Sequence, residues 1–312
     1  LMDIEQKWFA VVNPNSANGR TGNKWPKYYE MLLKNDINME YKFTSGQGNG
    51  SELCREALAK GYKRIIAVGG DGTVNEVING LIANDKLVIE QVELAIMGQG
   101  TGCDFIRSNG ADKDFNSFIN LLKNGKNFKV DIGKVIYSNK YNKIEDRYFI
   151  NAANLGLGAE VVKRVNSKSK FWGSKLTYFG GTITTVLKFK SFGAKILIDN
   201  SLEINEESWG LIVCNGQYIG GGMRIAPDAQ INDGLFDFVI LKDIPRLKVF
   251  SRFFDIYVGK HVDLSEIKFF KCKNIIITTL IPTMLETDGE VLGSCSQIEF
   301  QIIPKLLTIK GY

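Results

Sequence analysis

A glycine-rich turn in the first third of the chain joins an apolar, strand-like segment directly to an amphipathic helical segment. The turn places Gly69, Gly70 and Gly72 around one carboxylate, Asp71. Glycine lets the backbone approach a ligand closely, and a helix start offers unpaired N–H groups and the positive end of the helix dipole. The pattern is therefore typical of a phosphate-binding loop, with Asp71 placed to hold a divalent cation. An ordinary strand–turn–helix corner is the alternative.

Strand and helix patterns alternate around this turn. Strands are predicted at residues 8–12, 39–43, 64–68 and 92–97, and helices at 25–33, 51–60, 74–82 and 115–123. Alternation with short connections predicts an α/β fold class, in which ligand loops lie at the carboxyl ends of the strands.

The pattern changes near Asp131. Strand-like runs then follow in quick succession at 195–198, 209–214, 236–241, 275–280 and 298–303, with helices chiefly around 159–190 and 245–258. This predicts a second, mainly antiparallel β-sandwich domain. The predicted domains are residues 1–128 and 129–304.

Composition narrows the classes of function. A net charge of +5 suits anionic partners such as nucleotides or membrane headgroups, but is too weak to indicate nucleic acid. The five cysteines are scattered, which indicates reduced thiols and a cytoplasmic protein. The single histidine, His261, excludes a multi-histidine zinc site. We find no targeting signal and no apolar run long enough to span a bilayer.

Further polar strings have ordinary structural explanations when taken alone. Residues 13–20 form a polar turn after the first strand, and residues 98–105 form a glycine-containing loop after a later strand. The glycine spacing of the second loop does not fit a dinucleotide-binding fingerprint. Asp131 lies between apolar residues and needs partners if it is buried. Asp288-Gly289 is first of all a hairpin signal.

Together, however, these strings resemble the diacylglycerol kinase catalytic-domain family, which includes soluble bacterial lipid kinases. The resemblance is carried by Gly-Gly-Asp-Gly-Thr with Val-Asn-Glu-Val at 69–77, by 98–105, by the string from Asn215 to Asp237, and by Asp-Gly-Glu at 288–290. NAD kinases and 6-phosphofructokinases share the Gly-Gly-Asp-Gly-Thr core. The motifs keep the family's order from Asn13 to Glu290, which argues against an NAD kinase.

The resemblance implies an ATP- and Mg²⁺-dependent lipid kinase, most similar to those that convert diacylglycerol to phosphatidic acid. It assigns Glu290 as the general base and Asp71, with Asp131 nearby, to the catalytic Mg²⁺. A structural Mg²⁺ would be held by the Asp233 carboxylate and the carbonyls of Gln230 and Leu235. It also implies that residues 305–312 return to the first domain. The implied nucleotide contacts are Asn13, Ser16, Arg20, Thr44, Gly69, Gly70, Gly72, Thr73, Asn75, Glu76, Gly100, Thr101 and Asp104.

The chain departs from the family at two positions of one loop. Gln99 stands where leucine is usual, and Cys103 stands where the family has asparagine. Cysteine cannot donate two amide hydrogens, so any hydrogen bond from that asparagine is in doubt. The alternatives are a kinase for another lipid or non-lipid alcohol, and a non-catalytic lipid- or nucleotide-binding protein on the same scaffold.

Two segments suggest how the protein reaches a lipid. Residues 161–192 contain seven lysines and arginines, interspersed aromatic residues and no acidic residue, and residues 246–260 are similarly basic and aromatic. This pattern predicts peripheral, transient contact with the inner face of an anionic membrane. A solvated helix whose aromatic residues pack in the core is the alternative. A homodimer is also possible.

Overall fold

The structure is a computed structural model that describes residues 4–88, 91–99, 103–108, 114–168, 185–252 and 254–311. The chain forms two compact units. Unit 1 comprises Leu1–Ile132 and Ile303–Tyr312, and unit 2 comprises Gly133–Ile302.

Unit 1 is built on a parallel sheet. Its strands are β1 (Trp8–Val12), β2 (Met39–Phe43), β3 (Arg64–Gly69) and β6 (Glu93–Gly98), with a small hairpin of β4 (Ile82–Ala83) and β5 (Lys86–Leu87). The strand order is β6-β3-β1-β2, and every residue of β1 is buried. The described helices are α1 (Arg20–Lys34), α2 (Asn49–Ala59), α3 (Asp71–Leu81), α4 (Asp104–Ser108) and α5 (Phe115–Asn124).

Helix α1 begins five residues before its predicted start and contains Pro26. Its start is set by a tight turn in which Ala17, Asn18 and Gly19 all have positive φ. The helix buries Trp25 and Leu32 against the sheet core. Packing of these large apolar side chains outweighs the loss of one hydrogen bond at the proline.

Unit 2 is mainly antiparallel. Its helices are α6 (Leu157–Lys168), α7 (Arg246–Ser251) and α8 (Asp255–Val258), the last followed by a 3₁₀ turn, Lys260–Asp263. Its strands are β7 (Lys126–Ser138), which starts in unit 1, β8 (Ile144–Phe149), β9 (Ala152–Gly156), β10 (Phe192–Ile198), β11 (Leu202–Cys214), β12 (Phe236–Lys242), β13 (Ile267–Cys272), β14 (Asn274–Thr287) and β15 (Glu290–Gly311), which ends in unit 1.

The main strand order in unit 2 is β13-β12-β11-β10-β14-β15, with β9 pairing with both β11 and β14. Register shifts in β11 and β14 let these long strands bend. The core contains a cluster of phenylalanines, in which Phe149 stacks on Phe236 and meets Phe300 edge to face. The predicted fold class, an α/β domain followed by a β-sandwich domain, is confirmed.

In unit 2, the sequence pattern missed β7, β8, β9 and β13, and it underestimated the length of β11, β14 and β15. In the part of the chain that the structure describes, no helix is long and apolar enough to cross a membrane.

Candidate active site

Loops that were predicted to bind the nucleotide leave the carboxyl ends of β1, β3 and β6. The first amide after β1 and the first after β6 are both fixed to β3: Asn13 N–H donates to Val68 O (2.9 Å) and Gln99 N–H donates to Gly69 O (2.8 Å). Strands β2 and β3 lie on opposite sides of β1, so the sheet reverses its direction of growth there. Ligands of open α/β sheets bind at such a switch point.

The glycine turn before α3 is shaped by close packing on one side and open space on the other. A Cβ on Gly69 would overlap the Thr73 hydroxyl, whereas a Cβ on Gly72 would meet nothing within 4 Å. The Thr73 hydroxyl accepts a hydrogen bond from the Asn13 amide at 3.1 Å. This links the loop after β1 to the first turn of α3. The arrangement gives α3 an N-terminus that suits a phosphate.

The loop after β1 is held by its own polar groups. The Ser16 hydroxyl donates to the Asn13 carbonyl at 2.8 Å and lies 2.6 Å from the Thr21 hydroxyl. Arg20 is exposed and donates its Nε–H to Ala17 O at 2.9 Å. Thr44, at the end of β2, is buried and donates its N–H to Val12 O at 2.8 Å. Their contacts with a nucleotide stay predictions.

Asp71 joins two of these loops through its carboxylate. Its Oδ2 accepts the N–H of Cys103 at 2.7 Å, and its Oδ1 accepts the N–H of Asp104 at 3.0 Å. These two bonds anchor the loop that leads into α4. A carboxylate can accept amide hydrogens and also bind a cation, and the binding of a metal ion by Asp71 stays a prediction.

Cys103 occupies the position where the family has asparagine. Its φ is 87°, a left-handed conformation that asparagine adopts more easily than cysteine. The buried thiol lies 3.3 Å from Gly69 O and donates a hydrogen bond to it. The substitution therefore retains one side-chain hydrogen bond at this position.

The remaining predicted residues of unit 1 have structural partners. Asp104 is buried and pairs with Arg107 at 2.8 Å. Asn75 is buried in α3, where its carbonyl accepts from the Asn79 amide at 2.9 Å. Asp131 is fully buried, and its Oδ1 accepts the N–H of Lys305 at 2.7 Å. Gly100 and Thr101 lie outside the described residues.

Glu76 caps the start of α2. Its Oε1 accepts the N–H of Gly48 at 2.7 Å, and its Oε2 accepts the N–H of Gly50 at 2.8 Å. Its carbonyl also accepts a hydrogen bond from the Ser51 hydroxyl at 2.6 Å. The predicted nucleotide contact of Glu76 stays a prediction, but both carboxylate oxygens already bind backbone amides that would otherwise lack partners.

In unit 2, Asp288 and Gly289 form the two-residue turn between β14 and β15. Both have positive φ, 47° and 86°, as a type I′ hairpin requires. The nearly buried Asp288 carboxylate accepts the N–H groups of Ile150, Asn151 and Ala152 at 2.9–3.0 Å. Sequence reasoning missed this role, because an Asp-Gly turn does not indicate which distant amides the carboxylate binds.

Glu290 follows this turn and forms an ion pair with Arg147. Its side chain is 20% exposed and lines a cavity of about 400 Å³, together with the largely polar β8 residues around Arg147. Glu286, by contrast, is buried, and its carboxylate accepts from the Asn154 side chain and from Gly289 N–H at 2.8 Å. Glu290 is therefore the acidic residue of this hairpin that lines the cavity. Arg147 was not predicted.

The side chain expected to bind a structural metal ion has other partners. One oxygen of Asp233 accepts the N–H of Leu235 at 3.0 Å, and the other pairs with the Lys271 ammonium at 3.1 Å. A cation already lies against this carboxylate, so the residues do not fit a divalent metal ion. Among the residues that the structure describes, no cluster of three or more histidine, cysteine or acidic side chains could hold a metal ion.

His261, the single histidine of the chain, has a structural role. His261 is buried, and its ring nitrogen lies 2.9 Å from Ile225 O. Burial lowers the pKa of His261 more than its hydrogen bond to Ile225 O raises it. The ring is therefore neutral near pH 7 and serves the core of unit 2.

Comparison with known proteins decides the family. The model of the diacylglycerol kinase catalytic domain matches residues 7–135, and that of the YegS C-terminal NAD kinase beta sandwich-like domain matches residues 151–311. The chain belongs to the diacylglycerol kinase catalytic-domain family. Membership confirms the predicted class, an ATP-dependent phosphotransferase that acts on an alcohol, and at the coarser level a lipid kinase. It implies ATP as a substrate and typically a divalent metal ion.

Individual relatives agree with this assignment. The chain is 27% identical to YtlR of Bacillus subtilis, named as a candidate lipid kinase, over 92% of this chain and 94% of that one. It is 30% identical to the diacylglycerol kinase of Bacillus subtilis over 80% and 78% of the two chains. A solved structure from Bacillus anthracis, described as a candidate diacylglycerol kinase, is 26% identical with a TM-score of 0.75, covering 98% and 97%.

Substituting Glu76 tests its capping role. We expect Glu76→Gln to lower the free energy of unfolding by about 1–2 kcal/mol, because the amide of glutamine would face one of the two backbone N–H donors. Chemical denaturation measures this. Glu52→Gln is the control, since Glu52 lies in the first turn of α2 and its carboxylate accepts a hydrogen bond from the Asn49 side chain at 3.0 Å. An unchanged stability with a raised KM for ATP would instead favour direct nucleotide contact.

A pair of substitutions tests the strained backbone at Cys103. Cys103→Asn should leave the unfolding free energy unchanged or raise it, because asparagine tolerates positive φ and can donate to Gly69 O. Cys103→Val should lower it by about 1–2 kcal/mol, since a β-branched residue is disfavoured at positive φ. Thermal unfolding of both variants provides the measurement. Equal stability of the two would contradict the structural role of this backbone conformation.

Proposed function

We propose that this lipid kinase transfers the γ-phosphoryl group of Mg·ATP to the free hydroxyl of diacylglycerol, giving phosphatidic acid and ADP. The named function of the Bacillus subtilis relative motivates the choice of acceptor. The observation that carries the proposal is Glu290, a carboxylate held by Arg147 at the edge of a polar cavity in unit 2.

Glu290 has the surroundings of a positioned base. Arg147 holds its Oε2, and the hairpin turn immediately before it is fixed by the three amides bound to Asp288. In the reaction, Glu290 takes the proton of the lipid hydroxyl while the hydroxyl oxygen forms a bond to the γ-phosphorus of ATP. The bond between the γ-phosphorus and the bridging oxygen of ATP breaks, and ADP leaves with the electron pair.

The cavity beside Glu290 suits the polar end of a lipid. It lies within the volume range of small-molecule sites, and its lining includes Lys143, Glu145 and Asp146. These charged side chains favour a hydroxyl-bearing headgroup over acyl chains, because burying charge against hydrocarbon is unfavourable.

In unit 1, the groups proposed to bind ATP are the amides at the start of α3, the loop after β1, and Arg20. Asp71 would hold Mg²⁺ together with the nucleotide phosphates, since Mg²⁺ usually binds one or two carboxylates plus substrate oxygens. The bound ion would offset negative charge on the phosphoryl oxygens. Asp131, whose described contact is to the Lys305 backbone, stays a prediction in this role.

An assay of phosphoryl transfer tests the proposed role of Glu290 as the general base. We expect Glu290→Gln to lower kcat by about 10²–10⁴-fold, because the amide cannot accept the hydroxyl proton. The assay follows labelled γ-phosphate from Mg·ATP into mixed micelles that contain diacylglycerol.

Glu299→Gln is the matched control and should keep full activity. Glu299 lies on the same strand, β15, where its carboxylate accepts a hydrogen bond from the Gln301 side chain at 2.6 Å. Full activity of Glu290→Gln would refute the assignment of Glu290 as the general base. Label transfer to another lipid alcohol, but not to diacylglycerol, would retain the mechanism and replace the acceptor. ATP binding without any transfer would favour the non-catalytic alternative.

We also propose that a face of unit 2 formed by α7, α8 and residues 185–188 inserts into an anionic phospholipid surface. Large apolar side chains are exposed here: Leu247 by 82%, Phe254 by 73% and Val258 by 60%. Residues 185–190 and 246–262 together carry six lysines and arginines but only one acidic residue. A basic rim around exposed apolar groups matches the interface of an anionic bilayer.

The contacts of the basic side chains on this face lead us to expect that membrane binding depends more on insertion of the apolar side chains than on positive charge. Arg246 donates to Leu187 O and Phe189 O at 3.1 and 3.2 Å, Arg252 pairs with Asp255, and Lys248 pairs with Glu266. These side chains are partly engaged within the protein. Much of the other predicted membrane segment, 161–192, lies outside the described residues.

Removal of the apolar side chains tests this face. We expect the double variant Leu247→Ser and Phe254→Ser to lose vesicle binding by about tenfold or more, because each buried apolar side chain contributes roughly 1.5–3 kcal/mol. Co-sedimentation with vesicles that contain anionic phospholipid measures the loss. Tyr141→Ser is the control, since Tyr141 is 77% exposed in the turn between β7 and β8. Equal losses in both variants would contradict the assignment.

A further inference from the structure

Lys271 of β13 lies between two carboxylates of unit 2. Its Nζ is 3.1 Å from Asp233 Oδ2 and 3.2 Å from Asp237 Oδ2. Asp237 on β12 is the direct partner of Lys271 in the antiparallel register, so the pairing of the strands places the ammonium over that carboxylate. Asp233 lies in the loop immediately before β12. The lysine therefore ties the loop to the sheet.

This is the loop in which the family resemblance implies a structural Mg²⁺ bound by Asp233 and the carbonyls of Gln230 and Leu235. Magnesium binds carboxylate oxygens at about 2.0–2.1 Å. A metal ion on Asp233 Oδ2 would then lie close to the Lys271 ammonium, and the two positive charges would repel each other. The other oxygen, Oδ1, already accepts the N–H of Leu235.

We infer that the Lys271 ammonium is a built-in cation that replaces a structural divalent metal ion in the loop from Gln230 to Leu235. Asp233 provides the loop's side of the bridge, and the mostly buried Asp237 provides the sheet's side. The loop is held in place by a side chain of the protein itself and does not depend on dissolved metal. This inference concerns the folding of unit 2 and is independent of the proposed acceptor.

Thermal unfolding of the full chain without nucleotide, in excess EDTA or in millimolar MgCl₂ or CaCl₂, tests the inference. We expect the wild type and Asp233→Asn to show the same difference in Tm between EDTA and metal, because Asp233 does not bind the ion. Lys271→Met should lower Tm by about 2–4 °C in EDTA. Added Mg²⁺ or Ca²⁺ should recover this loss, because removal of the ammonium opens the carboxylates to a metal ion.

Lys268→Met is the matched control. Lys268 lies on the same strand and pairs with Glu206 at 2.7 Å. Its substitution should not create a metal-dependent Tm. Lys271→Arg keeps the charge and should stay metal-independent.

A metal-dependent rise in the Tm of the wild type that Asp233→Asn abolishes would overturn the inference. So would a Lys271→Met variant that loses stability and does not recover with either metal. If Lys271→Met does not fold at all, the comparison of the wild type with Asp233→Asn and Lys271→Arg still decides between an ammonium and a metal ion.

Discussion

Hydrogen bonds from backbone amides to carboxylates hold the functional loops of both units in place. Asp71 binds the amides that lead into α4, Glu76 binds those that start α2, Asp131 binds the returning strand at Lys305, and Asp288 binds three successive amides after β8. Irregular backbone leaves N–H groups without partners, and a charged acceptor satisfies them more strongly than a neutral one. The loops can therefore be exposed at a ligand site and still keep one conformation.

This arrangement affects how substitutions at the site are interpreted. Loss of the Asp71 carboxylate would release the Cys103–Asp104 backbone as well as any bound cation, so loss of turnover alone would not distinguish the two effects. Glu290 is a cleaner case, because it forms an ion pair with the Arg147 side chain, whereas the neighbouring Asp288 binds the backbone amides that fix the hairpin. The proposed base and the residue that supports the hairpin are therefore different side chains, so Glu290 can be substituted while Asp288 keeps its backbone contacts.

Local sequence pattern predicted much of the fold and less of the site. In unit 1, β1 and β3 are mostly apolar runs and β2 alternates apolar with charged residues, and the predicted and observed limits of these three strands nearly coincide. In contrast, β9 reads Ala-Ala-Asn-Leu-Gly, with small and polar residues that have no clear period. The contacts of the site depend on pairing across the fold. Ile150 lies 138 residues before Asp288, and Lys271 meets Asp237 only through the register of two strands. The periodicity of one segment does not show which distant residues will contact it.

Strand β15 has a further consequence for how the chain folds. Thr308 and Ile309 pair with β6, so the outer edge of the unit 1 sheet is covered by residues that follow the whole of unit 2 in the chain. During synthesis from the N-terminus, β6 therefore exposes unpaired backbone groups until the last part of this sequence has left the ribosome. An exposed strand edge can pair with other chains. Completion of unit 1 is thus coupled to the production of unit 2, and a nascent chain that stops before residue 308 would be prone to aggregate.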